Sequence, residues 1–251
     1  MHTDLLEEID RLFSLDKSEL NANSRSTFET FLTAMENGEV RAAEKKDGKW
    51  MVNAAVKKGV LLGFRLGRLV EFEASPVSYS DKDTYPAQKL PLIERNIRVV
   101  PGGNSVRRGA YIGNNVVMMP PAFVNAGAYV GDGTVVDSHA LIGSCAQIGK
   151  NVHISAGVQI GGVLEPIGLQ PVVVEDNVLI GGNSGVYEGV QVSKEAVIAA
   201  GCIVTASTPV YDLVHEKVYR STPESPLVIP ERAVVIPGSR PARGEIGRAH
   251  V

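Results

Sequence analysis

The stretch that decides the fold runs from residue 106 to residue 165 and reads VRRGAYIGNNVVMMPPAFVNAGAYVGDGTVVDSHALIGSCAQIGKNVHISAGVQIGGVLE. An aliphatic residue, or in one case methionine, recurs at every sixth position of this stretch, from Val106 to Ile160. A small or aliphatic side chain follows four residues after each of them, as Ala110 follows Val106. The phase shifts across residues 166–173, and the same pattern resumes from Val174 to Val204.

Such a hexapeptide repeat predicts a parallel β-helix, because each six-residue unit forms one short strand and one turn. Three units close a triangular coil, so residue n lies beneath residue n+18, and successive coils stack about 4.8 Å apart. Glycine often follows the aliphatic residue, as at Gly113, Gly131 and Gly143, and we expect these glycines to adopt the positive φ of a corner. An α-helix is excluded because the period is wrong and because glycine and β-branched residues are frequent.

Composition limits the functions open to this chain of 251 residues. Hydrophobic residues make up 44% and charged residues 21%, which is typical of a soluble globular protein. A formal net charge of −3 argues against a charge-based nucleic-acid surface. The sequence contains no apolar run of about 18 residues, and its N-terminus lacks the features of a signal peptide. We therefore expect a cytoplasmic protein that binds neither nucleic acid nor a membrane.

The two cysteines, Cys145 and Cys202, are too few for a disulfide framework. Cys202 falls on a small interior position of its repeat unit, where a buried thiol is the ordinary interpretation. No spacing of potential ligands indicates a metal site, so we expect no metal and no bound cofactor.

The repeat divides the chain into a smaller N-terminal domain and a larger one. We predict a helical and hairpin domain with a linker over residues 1–95, and a hexapeptide-repeat β-helix over residues 96–240. The shift in phase marks an inserted loop at residues 166–173, and loops on a rigid scaffold are where binding groups concentrate. Residues 245–251, EIGRAHV, match a common sequencing adapter read in one frame, and we interpret them as a non-native tail.

Within the N-terminal domain, helical spacing of apolar residues predicts helices at residues 4–15 and at about 26–37. Ser24 or Ser26 would cap the second of these helices. A hairpin is predicted around Asp47-Gly48, and residues 75–95 are polar and proline-rich, which favours a loop or linker.

Several stretches together resemble the tetrahydrodipicolinate N-succinyltransferase family over about residues 5–240. They are RVVP at 98–101, GSCAQIGKNVH at 143–153, IGGVLEP at 160–166 and, upstream, AEKKDGKW at 43–50 and VKKGVLLGFR at 56–65. The run at 143–153 is far more specific than the hexapeptide pattern, which many unrelated acyltransferases share.

This resemblance implies a left-handed parallel β-helix with a smaller N-terminal α/β domain, assembled as a homotrimer with active sites between subunits. It implies an acyltransferase that moves succinyl from succinyl-CoA, a co-substrate, to the amine of ring-opened tetrahydrodipicolinate. That reaction belongs to lysine and diaminopimelate biosynthesis. The amine would attack the thioester directly, without a covalent enzyme intermediate.

Two residues carry over from the family as substrate-binding groups, Arg98 and Asp137. A guanidinium clamps a carboxylate with two parallel hydrogen bonds, and the substrate is a dicarboxylate. A carboxylate can position the amine and help to remove its proton. The repeat itself places Asp137 beneath Ser155, as a polar column on an outer edge. Aspartate is also an ordinary corner residue, and Arg98 would equally suit a solvated surface.

Weaker candidates for the site are Ser155, Glu165 beside the inserted loop, and Glu188 in a corner; either glutamate would also suit an ordinary exposed position. The chain departs from the resemblance at Gly185, where many family members carry glutamate, and at His139, where relatives often carry tryptophan. We also expect the family's C-terminal segment, which helps to cover the coenzyme, to be missing.

Three alternatives remain open. Another hexapeptide-repeat O- or N-acetyltransferase would use a histidine base, but His139 and His153 are 14 residues apart and should not stack. A zinc hydratase of the γ-carbonic-anhydrase type needs three converging histidines. A non-catalytic scaffold would need neither Arg98 with Asp137 nor an inserted loop.

Overall fold

The computed structural model describes residues 2–74 and 77–239, and the predicted adapter tail at 245–251 lies outside them. The helices in this part of the chain are His2–Ser14 (α1), Ala22–Glu36 (α2) and Ala54–Leu66 (α3), with a short 3-10 helix at Lys17–Glu19. Two hairpins accompany them, Ala43–Lys46 (β1) with Lys49–Val52 (β2), and Leu69–Ala74 (β3) with Val77–Lys82 (β4). None of these helices is long and apolar enough to cross a membrane.

The start of α2 corrects the sequence prediction by four residues. Asn21, rather than Ser24 or Ser26, caps the helix, because its side-chain oxygen accepts hydrogen bonds from the backbone N–H groups of Asn23 (2.9 Å) and Ser24 (3.3 Å). The helix at 4–15 and the hairpin at Asp47-Gly48 are confirmed.

The prediction of a loop or linker over residues 75–95 was wrong for residues 77–82. These residues form β4, which pairs along its whole length with β3. The error arose because the prolines around this segment outweighed its short alternation of polar and apolar residues.

The rest of the chain coils into three flat faces of parallel two-residue strands. Face A contains Tyr111–Ile112 (β7), Tyr129–Val130 (β10), Gln147–Ile148 (β13), Val173–Val174 (β16), Gln191–Val192 (β19) and Val228–Ile229 (β24). Face B contains Arg98–Val99 (β5), Val117–Met118 (β8), Val135–Val136 (β11), His153–Ile154 (β14), Leu179–Ile180 (β17), Val197–Ile198 (β20) and Val234–Val235 (β25). Face C contains Ser105–Val106 (β6), Phe123–Val124 (β9), Leu141–Ile142 (β12), Gln159–Ile160 (β15), Gly185–Val186 (β18) and Ile203–Val204 (β21).

The register confirms the repeat. Val136 of β11 pairs with Ile154 of β14, eighteen residues on, and both side chains are completely buried. The step-of-six residues form the core of the β-helix, with the small partners beside them, for example Ala110, Ala128, Ala146 and Cys202. Both thiols are buried, which confirms the prediction for Cys202.

The glycines that follow the aliphatic residues have a different cause from the one predicted. Positive φ falls two residues later, at Gly133 (φ +70°), Asn115 (φ +57°) and equivalent positions, and not at Gly131. A Cβ at Gly131 would lie 2.5 Å from the carbonyl oxygen of Gly149 in the next coil. Glycine is therefore needed because successive backbones approach closely at this corner.

The coil is interrupted twice. Irregular backbone occupies residues 161–172, so the inserted segment starts before the predicted residue 166, and Val173 belongs to β16. Ile148 consequently pairs with Val174, twenty-six residues on. The second interruption carries a hairpin of Val210–Asp212 (β22) and Lys217–Tyr219 (β23). The division of the chain into domains at residues 95 and 96 stays a prediction.

The N-terminal elements pack against face A and the adjacent corner. The guanidinium of Arg41 lies over the Tyr129 ring, 3.5 Å from its centroid, and its Nε donates to Gln147 (3.0 Å). Glu175 accepts hydrogen bonds from Lys45 (2.6 Å) and from the Trp50 indole (2.8 Å). Burial opposes ionisation of Glu175, but these hydrogen bonds outweigh it and hold its pKa below the usual value.

A second apolar cluster joins the N-terminal elements to the β-helix. It contains Ile9, Phe28, Phe31 and Tyr85, and it also takes in Ala126 and Cys145 from the corner between faces C and A. The helices therefore cover one corner of the coil and leave the corner between faces B and C uncovered by this cluster.

Candidate active site

Face C lies between two corners that carry every candidate residue except Arg98. The B–C edge is formed by the turns that join faces B and C, including residues 137–140 and 155–158. The C–A edge is formed by the turns that join faces C and A, including the insertion at 161–172 and residues 187–190.

Asp137 and Ser155 occupy equivalent positions on successive coils of the B–C edge, as the repeat predicts. The backbone N–H of Asp137 donates to the carbonyl of Ile154 at 2.9 Å, which fixes this register. Both side chains are half-buried. Asp137 Oδ1 accepts a hydrogen bond from the backbone N–H of Ser138 (2.7 Å), which orients the carboxylate and leaves Oδ2 for a ligand.

Arg98 lies in β5, at the start of face B, with its side chain exposed. It pairs with Val117, which pairs in turn with Val135, two residues before Asp137. Two strand spacings, about 10 Å, therefore separate the Arg98 strand from β11. Arg98 lies on face B, two coils away from the coil that carries Asp137. The two residues therefore do not form a direct pair.

Glu165 and Glu188 lie on the C–A edge, on the far side of face C from Asp137. Glu165 is exposed within the insertion. Glu188 is exposed in a corner at φ +55°, and its Oε2 accepts a hydrogen bond from the backbone N–H of Ala206 (3.0 Å). In a single chain, the structure thus brings Asp137 together with Ser155 but keeps both glutamates apart from them. The assignment of all five residues to a site stays a prediction.

Tyr187 begins a turn of the C–A edge, and the sequence reasoning did not select it. Its ring lies over face C: a Cβ at Gly185 would come within 2.3 Å of the ring, and a Cβ at Gly161 within 2.8 Å. The side chain is half-buried. The available signal was the pair of glycines, Gly185 in face C and Gly161 on the C–A edge, that leave room for this ring.

The two histidines of the repeat lie in different settings. His139 is exposed on the B–C edge at φ +62°, whereas His153 is exposed in β14 of face B. In residues 2–74 and 77–239, no three histidine, cysteine, aspartate or glutamate side chains are grouped as metal ligands.

A parallel β-helix of hexapeptide coils, with polar and acidic side chains along its edges, is the architecture expected of a hexapeptide-repeat acyltransferase. The chain matches the model of the tetrahydrodipicolinate N-succinyltransferase N-terminal region at residues 4–66 and that of the hexapeptide repeat of succinyl-transferase at residues 171–206. Its relatives include a 2,3,4,5-tetrahydropyridine-2,6-dicarboxylate N-succinyltransferase of Acinetobacter baylyi, 44% identical over 88% of this chain and 80% of the relative. The chain belongs to the tetrahydrodipicolinate N-succinyltransferase family.

Two further comparisons bear on the family and on the fold, respectively. An enzyme of the same name from Aromatoleum aromaticum is 45% identical over 95% of this chain and 87% of the relative. A crystal structure from Campylobacter jejuni, described provisionally as a 2,3,4,5-tetrahydropyridine-2-carboxylate N-succinyltransferase, has a TM-score of 0.53 at 18% identity, covering 81% of this chain and 58% of that chain. The fold is therefore the left-handed parallel β-helix, and the predicted family and enzyme class are confirmed.

Proposed function

We propose that this chain transfers succinyl from succinyl-CoA to the amine of ring-opened tetrahydrodipicolinate, in lysine and diaminopimelate biosynthesis. The amine nitrogen attacks the thioester carbonyl carbon, a C–N bond forms, and the C–S bond breaks. The amine loses one proton and the departing thiolate of CoA gains one, so the step balances without a covalent enzyme intermediate. The cytoplasm, where CoA thioesters are made, is the compartment that this reaction requires.

Asp137 acts on the amine in this proposal. With Oδ1 held by the backbone of Ser138, Oδ2 can accept a hydrogen bond from the amine and help to take its proton as the C–N bond forms. The Ser155 hydroxyl, one coil away, supplies a second polar contact on the same edge. The observation that carries the proposal is this stacked pair on an open edge, in a chain of this family.

Arg98 binds a substrate carboxylate. Its exposed guanidinium can donate two parallel hydrogen bonds to one carboxylate, which orients the dicarboxylate as well as attracting it. The separation of Arg98 from Asp137 by two coils is compatible with a substrate whose carboxylate and amine are held at different points.

We also propose that the active site forms between neighbouring subunits of a homotrimer. In one chain, Asp137 and Glu188 lie on opposite edges of face C, and a neighbour would bring the C–A edge of one chain to the B–C edge of the next. Apolar side chains that point outward from the faces support such packing, since Leu179 is 41% and Ile203 is 47% exposed. Glu165 and Glu188 would then line the cleft opposite Asp137.

The direct test is release of free thiol from succinyl-CoA by the pure protein, with and without tetrahydrodipicolinate. We expect release that depends on both substrates. Release that ignores tetrahydrodipicolinate, or turnover of acetyl-CoA with another amine in its place, would overturn the proposal in favour of a different hexapeptide-repeat acyltransferase.

A further inference from the structure

Lys57 in α3 is the one lysine, arginine, aspartate or glutamate among the described residues that is buried, with none of its surface exposed. Its ammonium donates a hydrogen bond to the backbone carbonyl of Leu169, in the insertion at 161–172. Burial lowers the pKa of Lys57. An ammonium is buried only at considerable cost, so a buried lysine that reaches from the N-terminal helices to an inserted loop needs an explanation.

The insertion is held from both sides at this point. Leu164 packs against the apolar cluster of the N-terminal elements. On the other side, the corner of the coil approaches so closely that a Cβ at Gly189, at φ +76°, would lie 2.6 Å from the carbonyl oxygen of Gln170. The Leu169–Gln170 backbone is thus wedged between α3 and the corner that also carries Glu188.

We infer that Lys57 is a positioning residue for acyl transfer, which fixes the insertion, and with it Glu165, over the C–A edge. The expected effect on acyl transfer rests on the proposed function. The expected effect on the insertion rests only on the contacts of Lys57. Lys57 thereby gives the N-terminal helices a role in the reaction, because they organise one wall of the site without contributing a group to it. One backbone hydrogen bond forms within residues 161–172, from Leu169 to Pro166, so the middle of the insertion is otherwise free to sample many conformations.

The experiment compares Lys57→Met with Lys58→Met in the full 251-residue protein. Methionine keeps much of the apolar stem of lysine but cannot donate to Leu169. Lys58 is the matched control, because it is adjacent in the same helix but pairs with Asp10 at the surface. For Lys57→Met we expect backbone hydrogen exchange about tenfold faster in residues 161–172, with unchanged exchange in β12 to β15. We expect Lys58→Met to exchange as the wild type does.

Kinetics provide the second measurement. We expect Lys57→Met to raise KM or lower kcat in thiol release, and Lys57→Arg to recover part of the loss. Unchanged exchange in residues 161–172 of Lys57→Met would overturn the inference, whatever the activity. A silent wild-type enzyme would overturn the proposed function instead, and the exchange result would then decide only whether Lys57 fixes the insertion.

A second variant tests the inference if Lys57→Met does not fold. Gly189→Ala displaces the Gln170 carbonyl from the opposite side and leaves Lys57 in place, and we expect it to accelerate exchange in the same residues. Wild-type exchange in this variant would show that the insertion is not wedged as described.

Discussion

Asp137 stacks on Ser155 because Val136 and Ile154, the residues before them, pair in adjacent strands of face B. Two polar side chains therefore project from one edge at the spacing of successive coils, about 4.8 Å. That distance allows a single small ligand to contact both. Neither residue needs a special backbone, since their positions follow from the register alone.

Replacing Asp137 by asparagine tests the acid–base role. Asparagine keeps the shape and can still accept the hydrogen bond from Ser138, but it cannot take a proton. We expect kcat/KM to fall by about 100-fold or more, with the thermal midpoint within a few degrees of the wild type. Steady-state thiol release and a melting curve measure the two quantities.

The matched control for Asp137 is Glu195→Gln. Glu195 lies on the corner between faces A and B, where it pairs with Arg232, far from face C. Its replacement should leave kcat/KM within about twofold, because surface ion pairs contribute little. Equal losses in the two variants would show that Asp137 has only a general effect.

Arg98 and Arg95 provide a contrast between binding and structure. Arg98 is exposed, whereas Arg95 donates to the carbonyl of Ile112 (3.0 Å) and lies over the Tyr111 ring. We expect Arg98→Ala to raise KM for the dicarboxylate by about tenfold or more, since a charge-assisted pair is lost. Arg95→Ala should instead lower stability and leave KM close to the wild-type value. A raised KM in Arg95→Ala together with an unchanged KM in Arg98→Ala would show that Arg98 does not bind the substrate.

The fold could be predicted from the sequence because each repeat unit repeats the same geometry. Once Val106 and Val124 share a face, the later strands up to β21 follow by counting, with one break at the insertion at 161–172. The second interruption, which carries the β22–β23 hairpin, shifts the count again before β24. The reason for the corner glycines was not predictable, because it depends on how closely the next coil approaches, as Gly131 approaches Gly149.

The site was harder to predict because it depends on contacts between distant segments. The register of the repeat predicts that Asp137 and Ser155 lie at equivalent positions on successive coils. It could not give the contact of Lys57 with Leu169, 112 residues later in the chain, because neither residue belongs to a repeating pattern. The ring of Tyr187 over Gly161 also depends on the path of the insertion between them.

Glycine can be needed at a corner because φ is positive or because the next coil approaches closely. Substitutions at two glycines distinguish these two reasons. At Gly131 an added Cβ would meet the Gly149 backbone, which cannot move, so Gly131→Ala should cost about 1–3 kcal/mol or more of unfolding free energy. At Gly201 φ is +75° and an added Cβ would meet no atom within 4 Å beyond the adjacent residues, so alanine should cost only the backbone strain of about 1 kcal/mol. Denaturant midpoints at one protein concentration give both values, and a larger loss at Gly201 would contradict the packing argument.

Cys145 should make the protein sensitive to alkali. Burial raises the pKa of its thiol from 9.0 to about 12, although Lys57 opposes the shift. The unfolded chain therefore loses this proton first, and the stability that the thiol contributes is present below pH 9 and lost as the pH rises toward about 12. Above pH 9 the unfolding free energy of the wild type should fall with pH more steeply than that of Cys145→Ala. The difference between the two slopes should be about 1.4 kcal/mol per pH unit. Below pH 8 the plots of unfolding free energy against pH should be parallel for the wild type and Cys145→Ala. Plots that stay parallel up to pH 11 would contradict the prediction.

Tyr187 and Gly185 should behave as a coupled pair. A Cβ at Gly185 would lie 2.3 Å from the Tyr187 ring and 2.7 Å from its hydroxyl oxygen, so Gly185→Ala must push the ring away from face C. With Tyr187→Ala already in place, the same methyl group has room. A double-mutant cycle in unfolding free energy should therefore give a coupling of about 1 kcal/mol or more. Gly185→Glu, whose side chain is larger still, should fold well only with Tyr187→Ala. Additive losses in the cycle would show that the ring moves at no cost and that the two residues are independent.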